Sequence, residues 1–103
     1  MPRGAVRPIS KHRRESALES WAVRWARARG VIVAKLKELD GVPDRIFFPL
    51  RTRGRPVIIE FKARGEEPEE LQAWYLSTMQ KAGYLVAWCD NKEAFLKLME
   101  KYV

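Results

Sequence analysis

Apolar positions recur along this chain with two periods, one helical and one extended. Over residues 11–29 the spacing predicts a helix. At 100° per residue, Ala17, Leu18, Trp21, Ala22, Trp25 and Ala28 share one broad arc, with Ser16, Ser20, Arg24 and Arg27 opposite. Gly30 is placed to cap it. Glu15 and Glu19 fall one turn apart at the margin of the apolar arc, beside Ala22, Val23 and Ala26. A half-buried carboxylate there is costly unless a cation or a basic partner compensates it. Short apolar runs then predict three strands, over residues 31–36, 45–48 and 57–62, the third apolar enough to lie centrally in a sheet. The stretch Arg51-Thr52-Arg53-Gly54-Arg55 has the spacing of a hairpin turn with Gly54 at its tip.

A second helix is expected from Pro68-Glu69-Glu70, because proline suits the first turn and the acids favour the positive end of the helix dipole. Leu71, Trp74, Tyr75, Thr78, Met79 and Ala82 form its inner arc and read as core, with Gln72 on the flank. After Gly83, residues 84–89 predict a fourth strand. Asp90-Asn91-Lys92-Glu93 resembles a capping box opening a last helix, with Phe95, Leu98, Met99 and Tyr102 inward. Helix, three strands, helix, strand, helix make an α/β domain, a mixed four-stranded sheet flanked by helices over residues 11–103. Residues 1–10, with two prolines and two arginines, read as a flexible basic arm.

Composition narrows the function classes. A chain of 103 residues has room for one domain, and 47% apolar residues favour a globular fold. No apolar run approaches the roughly 20 residues that span a bilayer, and no apolar segment near the N-terminus resembles a secretory signal. One cysteine, Cys89, within an apolar strand, excludes an internal disulfide and a cysteine zinc cluster. A buried thiol in a reducing cytoplasm is expected. The lone His12 gives no partner for a Ser–His–Asp triad or a histidine zinc site. The net charge of +7 is unevenly spread: residues 1–65 hold 16 Lys/Arg against 6 Asp/Glu, and the remainder holds 4 against 7. A polyanion, nucleic acid foremost, is the implied partner of the basic half.

That half also carries the candidate chemistry. Gly41-Val42-Pro43-Asp44 opens the second strand, and Glu60-Phe61-Lys62 closes the third. Residues two apart in a strand share a face, so Glu60 and Lys62 look toward one spot while Val57, Ile59 and Phe61 face the other side. Two carboxylates suit a hard divalent cation such as Mg²⁺, and a lysine beside them can orient water or neutralise charge on a phosphate. Glu15 or Glu19 is placed to complete the acidic cluster from the first helix. The plainer reading is a Glu60–Lys62 ion pair with Asp44 capping a turn.

Asp44 with Glu60-Phe61-Lys62 resembles the signature of the PD-(D/E)XK nuclease superfamily. The ordered set of a helix glutamate, Gly41-Val42-Pro43-Asp44, Glu60-Phe61-Lys62 and Gln72 is similar to its VRR-NUC branch, and the likeness runs from about Glu15 to Trp88. The resemblance implies a restriction-endonuclease-like core and an Mg²⁺- or Mn²⁺-dependent DNA endonuclease leaving 5′-phosphate and 3′-hydroxyl ends. In that scheme Asp44, Glu60, the Phe61 carbonyl and a helix glutamate, Glu19 with Glu15 as the alternative, bind metal. Lys62 assists the water and Gln72 positions the site. Lys35, Arg45, Arg51, Arg53, Arg55 and Arg64 are the candidate DNA contacts. Small stand-alone members of the branch imply a phage-type enzyme, in a bacterial or phage-infected cytoplasm, acting as a homodimer on branched DNA such as four-way junctions or flaps. A non-catalytic nucleic-acid-binding module on the same fold is one competing reading. A small basic protein that binds RNA or a protein partner is another.

Overall fold

The structure, a computed structural model, describes residues 11–36 and 39–103. The arm expected over residues 1–10 and the His12 side chain lie outside the described residues. The elements follow the predicted order: α1 (Lys11–Arg27), β1 (Ile32–Lys35), β2 (Arg45–Phe48), β3 (Val57–Phe61), α2 (Glu70–Lys81), β4 (Leu85–Cys89) and α3 (Lys92–Met99). The sheet order is β1-β2-β3-β4. β1, β2 and β3 run antiparallel in turn, while β4 lies parallel to β3, as the α2 crossover requires. β3 is interior and every one of its residues is buried.

Strand alternation sends Phe47, Val57, Ile59 and Phe61 to one face, where α1 and α3 cover them. Phe95 is the hub of this core. Its ring lies 5.5–6.0 Å from those of Trp21, Trp25, Phe47 and Phe61, spacings at which aromatic pairs attract. A smaller cluster on the other face joins Ile58 and Val86 to Leu76 of α2. Cys89 is buried as expected, and burial pushes its thiol pKa up to about 12, so it is unreactive. Among the described residues no helix is long and apolar enough to cross a membrane.

Four expectations are corrected. The buried stripe of α1 is Leu18, Ala22, Val23 and Ala26, whereas Ala17 and Ala28 are exposed. The helix is turned toward the side carrying Glu15 and Glu19, which polar partners on the sheet make tolerable. It also ends at Arg27, where the Val31 N–H returns to the Ala26 carbonyl across Gly30 at φ +79°. The aromatic arc of α2 is not core: Trp74 is 58% exposed, and Leu71, Thr78 and Ala82 are exposed too. Met79 faces the sheet as expected, but its companions there are Leu76 and Gln72, and Gln80 Nε2 donates to the Val86 carbonyl at 2.9 Å. The last helix is capped by Asn91, whose Oδ1 accepts the Ala94 N–H at 2.8 Å; Asp90 accepts the Gly65 N–H instead. β2 and β3 do form a hairpin, joined through a 3₁₀ turn over Leu50–Thr52 followed by left-handed Arg53 and Gly54.

The two aromatic sets therefore differ in energetic weight. Phe95→Ala is expected to cost about 3–5 kcal/mol, and Trp74→Ala about 0.5 kcal/mol or less. Urea unfolding of the two variants checks the order.

Candidate active site

The site forms where the end of β3 meets the start of β2 and the N-terminus of α2. Antiparallel register pairs Arg45 with Ile59, so Asp44 comes opposite Glu60 at the site end of the sheet, with Phe61 one residue beyond. There the Asp44 side chain takes over from β2: its Oδ2 accepts the Phe61 N–H at 2.8 Å. N–H and C=O of one strand residue point to the same neighbour, so the Phe61 carbonyl is also on the Asp44 side. The Lys62 N–H points the other way, to the Cys89 carbonyl at 2.9 Å. Pro43 is fully buried and Gly41 holds φ +83°, with α2 packed close against it. A Cβ on Gly41 would lie 2.5 Å from Leu71 Cγ, so glycine is required twice over.

Glu60 and Lys62 are 2% and 3% exposed, unusual burial for ionisable residues. Both project to the α2 side, and Gln72 joins them. Its Oε1 accepts from Lys62 Nζ at 3.2 Å and from the Glu69 N–H at 2.8 Å, while its Nε2 lies 3.5 Å from Glu60 Oε1. The residue that closes the first turn of α2 is thus also the bridge between the lysine and the glutamate. Glu60 Oε2 is buried without a hydrogen-bond partner among the described residues. Burial, and then the negative charge of Asp44, push the Glu60 pKa from its ordinary 4.5 up to about 9, against the opposing pull of Lys62.

The two helix glutamates separate. Glu15 Oε1 lies 3.7 Å from Lys62 Nζ, and its charge is felt at Glu60. Glu19 Oε2 instead accepts from Arg45 Nε at 2.5 Å, both side chains half-buried. This pairing across 26 positions left no trace in the apolar pattern, which placed the glutamates alike and left Arg45 for DNA. Lys35 is exposed opposite Arg45 at the site end of β1, and Arg64 is exposed two residues beyond Lys62. Arg51, Arg53 and Arg55 are exposed at the other end of β2 and β3, separated from the carboxylates by the length of a strand, about 16 Å. They reach no phosphate held at Lys62, and Arg55 Nη2 donates to the Gly83 carbonyl.

Among the described residues no three His, Cys, Asp or Glu side chains converge as a ligand set. The donors that do converge are the Asp44 and Glu60 carboxylates, with the Phe61 carbonyl on the same side. An orphaned, buried carboxylate oxygen beside a second carboxylate fits a hard cation that takes oxygen ligands and retains water.

This fold has a solved counterpart. The chain is similar to a structure described as a VRR_NUC domain, with a TM-score of 0.76 and 25% sequence identity over 87% of this chain and 98% of the other. Its fold is that of a VRR-NUC domain. No family model matches its sequence, and no curated protein does. The mixed sheet and three flanking helices of the VRR-NUC domain are therefore its architecture, and its fold is of nuclease type.

The raised Glu60 pKa has a sign that can be measured. The folded chain holds a proton there that the unfolded chain releases above about pH 4.5, so metal-free stability falls as pH rises from about 4.5 to 9. The slope is at most about 1.4 kcal/mol per pH unit. Glu60→Gln removes the ionisation and should flatten it; urea titrations of both metal-free proteins across that window check this.

Proposed function

We propose that this chain hydrolyses phosphodiester bonds in DNA with a bound divalent cation, Mg²⁺ or Mn²⁺, and leaves 5′-phosphate and 3′-hydroxyl ends. The observation that carries the reading is Glu60 Oε2, which among the described residues is buried beside Asp44 without a hydrogen-bond partner, with Gln72 joining Glu60 to Lys62. Asp44, Glu60 and the Phe61 carbonyl would hold the cation. When bound, it supplies Lewis acidity and neutralises charge on the scissile phosphate. Glu15 takes the outer place in this acidic cluster in preference to Glu19, whose carboxylate is committed to Arg45.

In the reaction a water oxygen bonds to phosphorus and the bond to the 3′ oxygen breaks. One proton leaves the water and one joins the 3′ oxygen. Lys62 is kept extended by Gln72 and Glu15, so its ammonium can orient the water and stabilise charge gathering on the phosphoryl oxygens. Gln72 positions the lysine and the Glu60 carboxyl together, and the burial of both excludes bulk water, which strengthens each interaction. Lys35 and Arg64 flank the site as phosphate contacts.

The preferred substrate is read as branched DNA, cut by a homodimer. Ile32 of the edge strand β1 pairs with Phe48 of β2, both exposed, and Leu50 follows two residues on; this apolar strip is the surface a second copy would cover. Two sites related by a dyad suit a symmetric junction.

Cleavage of labelled four-way junction, flap, single-stranded and duplex DNA, with Mg²⁺, Mn²⁺ or EDTA, tests the reading. Lys62→Ala and Asp44→Asn are expected to lower cutting by a factor on the order of a hundred or more while DNA binding persists. Binding without cutting by the unmodified chain under every condition would instead favour a non-catalytic nucleic-acid-binding module. The two helix glutamates are separated by a second comparison. Glu15→Gln should reduce cutting about tenfold or more, whereas Glu19→Gln should mainly destabilise the fold, by about 1 kcal/mol, as read by urea unfolding.

A further inference from the structure

An open groove of about 510 Å³ runs between α1 and the turn from β4 into α3. Its size is that of small-ligand sites, roughly 300–1,000 Å³. We propose that it binds a single-stranded stretch of DNA leading away from the scissile phosphate, with phosphates on its cationic rim and a base on its aromatic floor. The proposal rests on the nuclease reading for its connection to the site, and on the groove alone for the binding.

The rim is cationic on both walls. Arg14 and Arg24 stand on α1, ten residues and so about 15 Å apart along the helix axis. Arg64 and Lys92 face them from the loop after β3 and the first turn of α3. Among the described residues neither Arg14 nor Arg24 makes an ion pair or a side-chain hydrogen bond. Two acids also line the groove. Asp90 is occupied by the Gly65 N–H at 2.9 Å and by Asn91 at 2.6 Å, while Glu93 is exposed at the edge. The cations therefore outnumber the acids, and the α1 pair is free to meet an anion.

The floor is apolar: Ala17, Leu18 and Trp21. Trp21 meets the Phe95 ring at an interplanar angle of 78°, and Lys92 Nζ sits 5.1 Å from its ring centre. A flexible ammonium beside an aromatic surface can move onto a phosphate as a base stacks. Aromatic floor and cationic rim together match a nucleotide whose base is unpaired; a duplex keeps its base faces stacked inside and presents only phosphates. Two residues of the groove are near neighbours of the site in the chain. Arg14 adjoins Glu15, whose carboxylate is 3.7 Å from Lys62 Nζ, and Arg64 follows Lys62 by two residues.

The test measures binding in EDTA, by fluorescence anisotropy, with a labelled single strand of about 12 nucleotides and a duplex of equal length. Arg14→Glu/Arg24→Glu is compared with Arg51→Glu/Arg53→Glu, which makes the same charge change at the far end of the sheet. The groove pair is expected to weaken single-strand binding at least about tenfold and to lower the salt slope by about 1.4, the value for two phosphate contacts. The far pair should weaken it less than about threefold. In the unmodified chain, a 5-iodouracil oligonucleotide should photo-cross-link to Trp21, located by mass spectrometry. Equal losses from the two pairs, an equal loss for the duplex, or cross-links that avoid Trp21 would overturn the proposal. Because nothing is cut in EDTA, a chain that binds this way yet never cleaves would overturn the nuclease reading alone, and one that cleaves with groove-independent binding would overturn the groove alone.

Discussion

The fold is organised around a carboxyl group that it has taken out of water. Glu60 sits at the end of the central strand with 2% of its surface exposed, next to Asp44, and one of its oxygens has no hydrogen-bond partner among the described residues. Isolated burial of this kind costs several kcal/mol, so the surrounding chain must hold it in place. β3 does so by being flanked on both sides, and the Phe95 hub does so by locking Phe61, its neighbour in sequence, into the opposite face. A rigid strand with a destabilised end is how proteins keep a reactive group in position.

The same constraint explains where sequence patterning succeeded. Strands β2 and β3, a mixed four-stranded sheet and the order of all seven elements were legible, because apolar runs broken by turn residues are strong signals. Alternation in β3 correctly separated Glu60 and Lys62 from Val57, Ile59 and Phe61. The helices were harder. Patterning assumes that inward positions are apolar, and here the site turns that rule over. Gln72 of α2 faces the sheet because Lys62 and Glu60 need it there, which leaves Trp74 and Leu71 outside. Glu15 and Glu19 of α1 lie toward the sheet because Lys62 and Arg45 meet them. The places where polarity contradicts burial are the places where the candidate chemistry sits.

Which of two equivalent-looking glutamates serves the site could not be read from α1 alone. The choice depends on β2, since Arg45 follows Asp44 and alternation sends its side chain to the α1 face while Asp44 turns to Phe61. One residue in register therefore fixes both the carboxylate beside Glu60 and the cation that claims Glu19. A shift of β2 by one position would exchange the two and dismantle the site. Gly41 and the buried Pro43 guard that register, with Leu71 packed against the glycine.

Charge is arranged by the same geometry. A count of arginines in the sequence drew attention to Arg51, Arg53 and Arg55, which are close together in the chain. The fold sets them a strand length away from the carboxylates and gathers a different group around one groove, from α1, the β3 exit and α3. Members of that group are separated by up to 78 positions, Arg14 to Lys92, so no local run announces them. At an ionic strength of 0.15 M charges further apart than about 8 Å are largely screened. A phosphate in that groove therefore responds to the four cations that line it in space, and of the acids of residues 66–103 only Asp90 and Glu93 stand beside them.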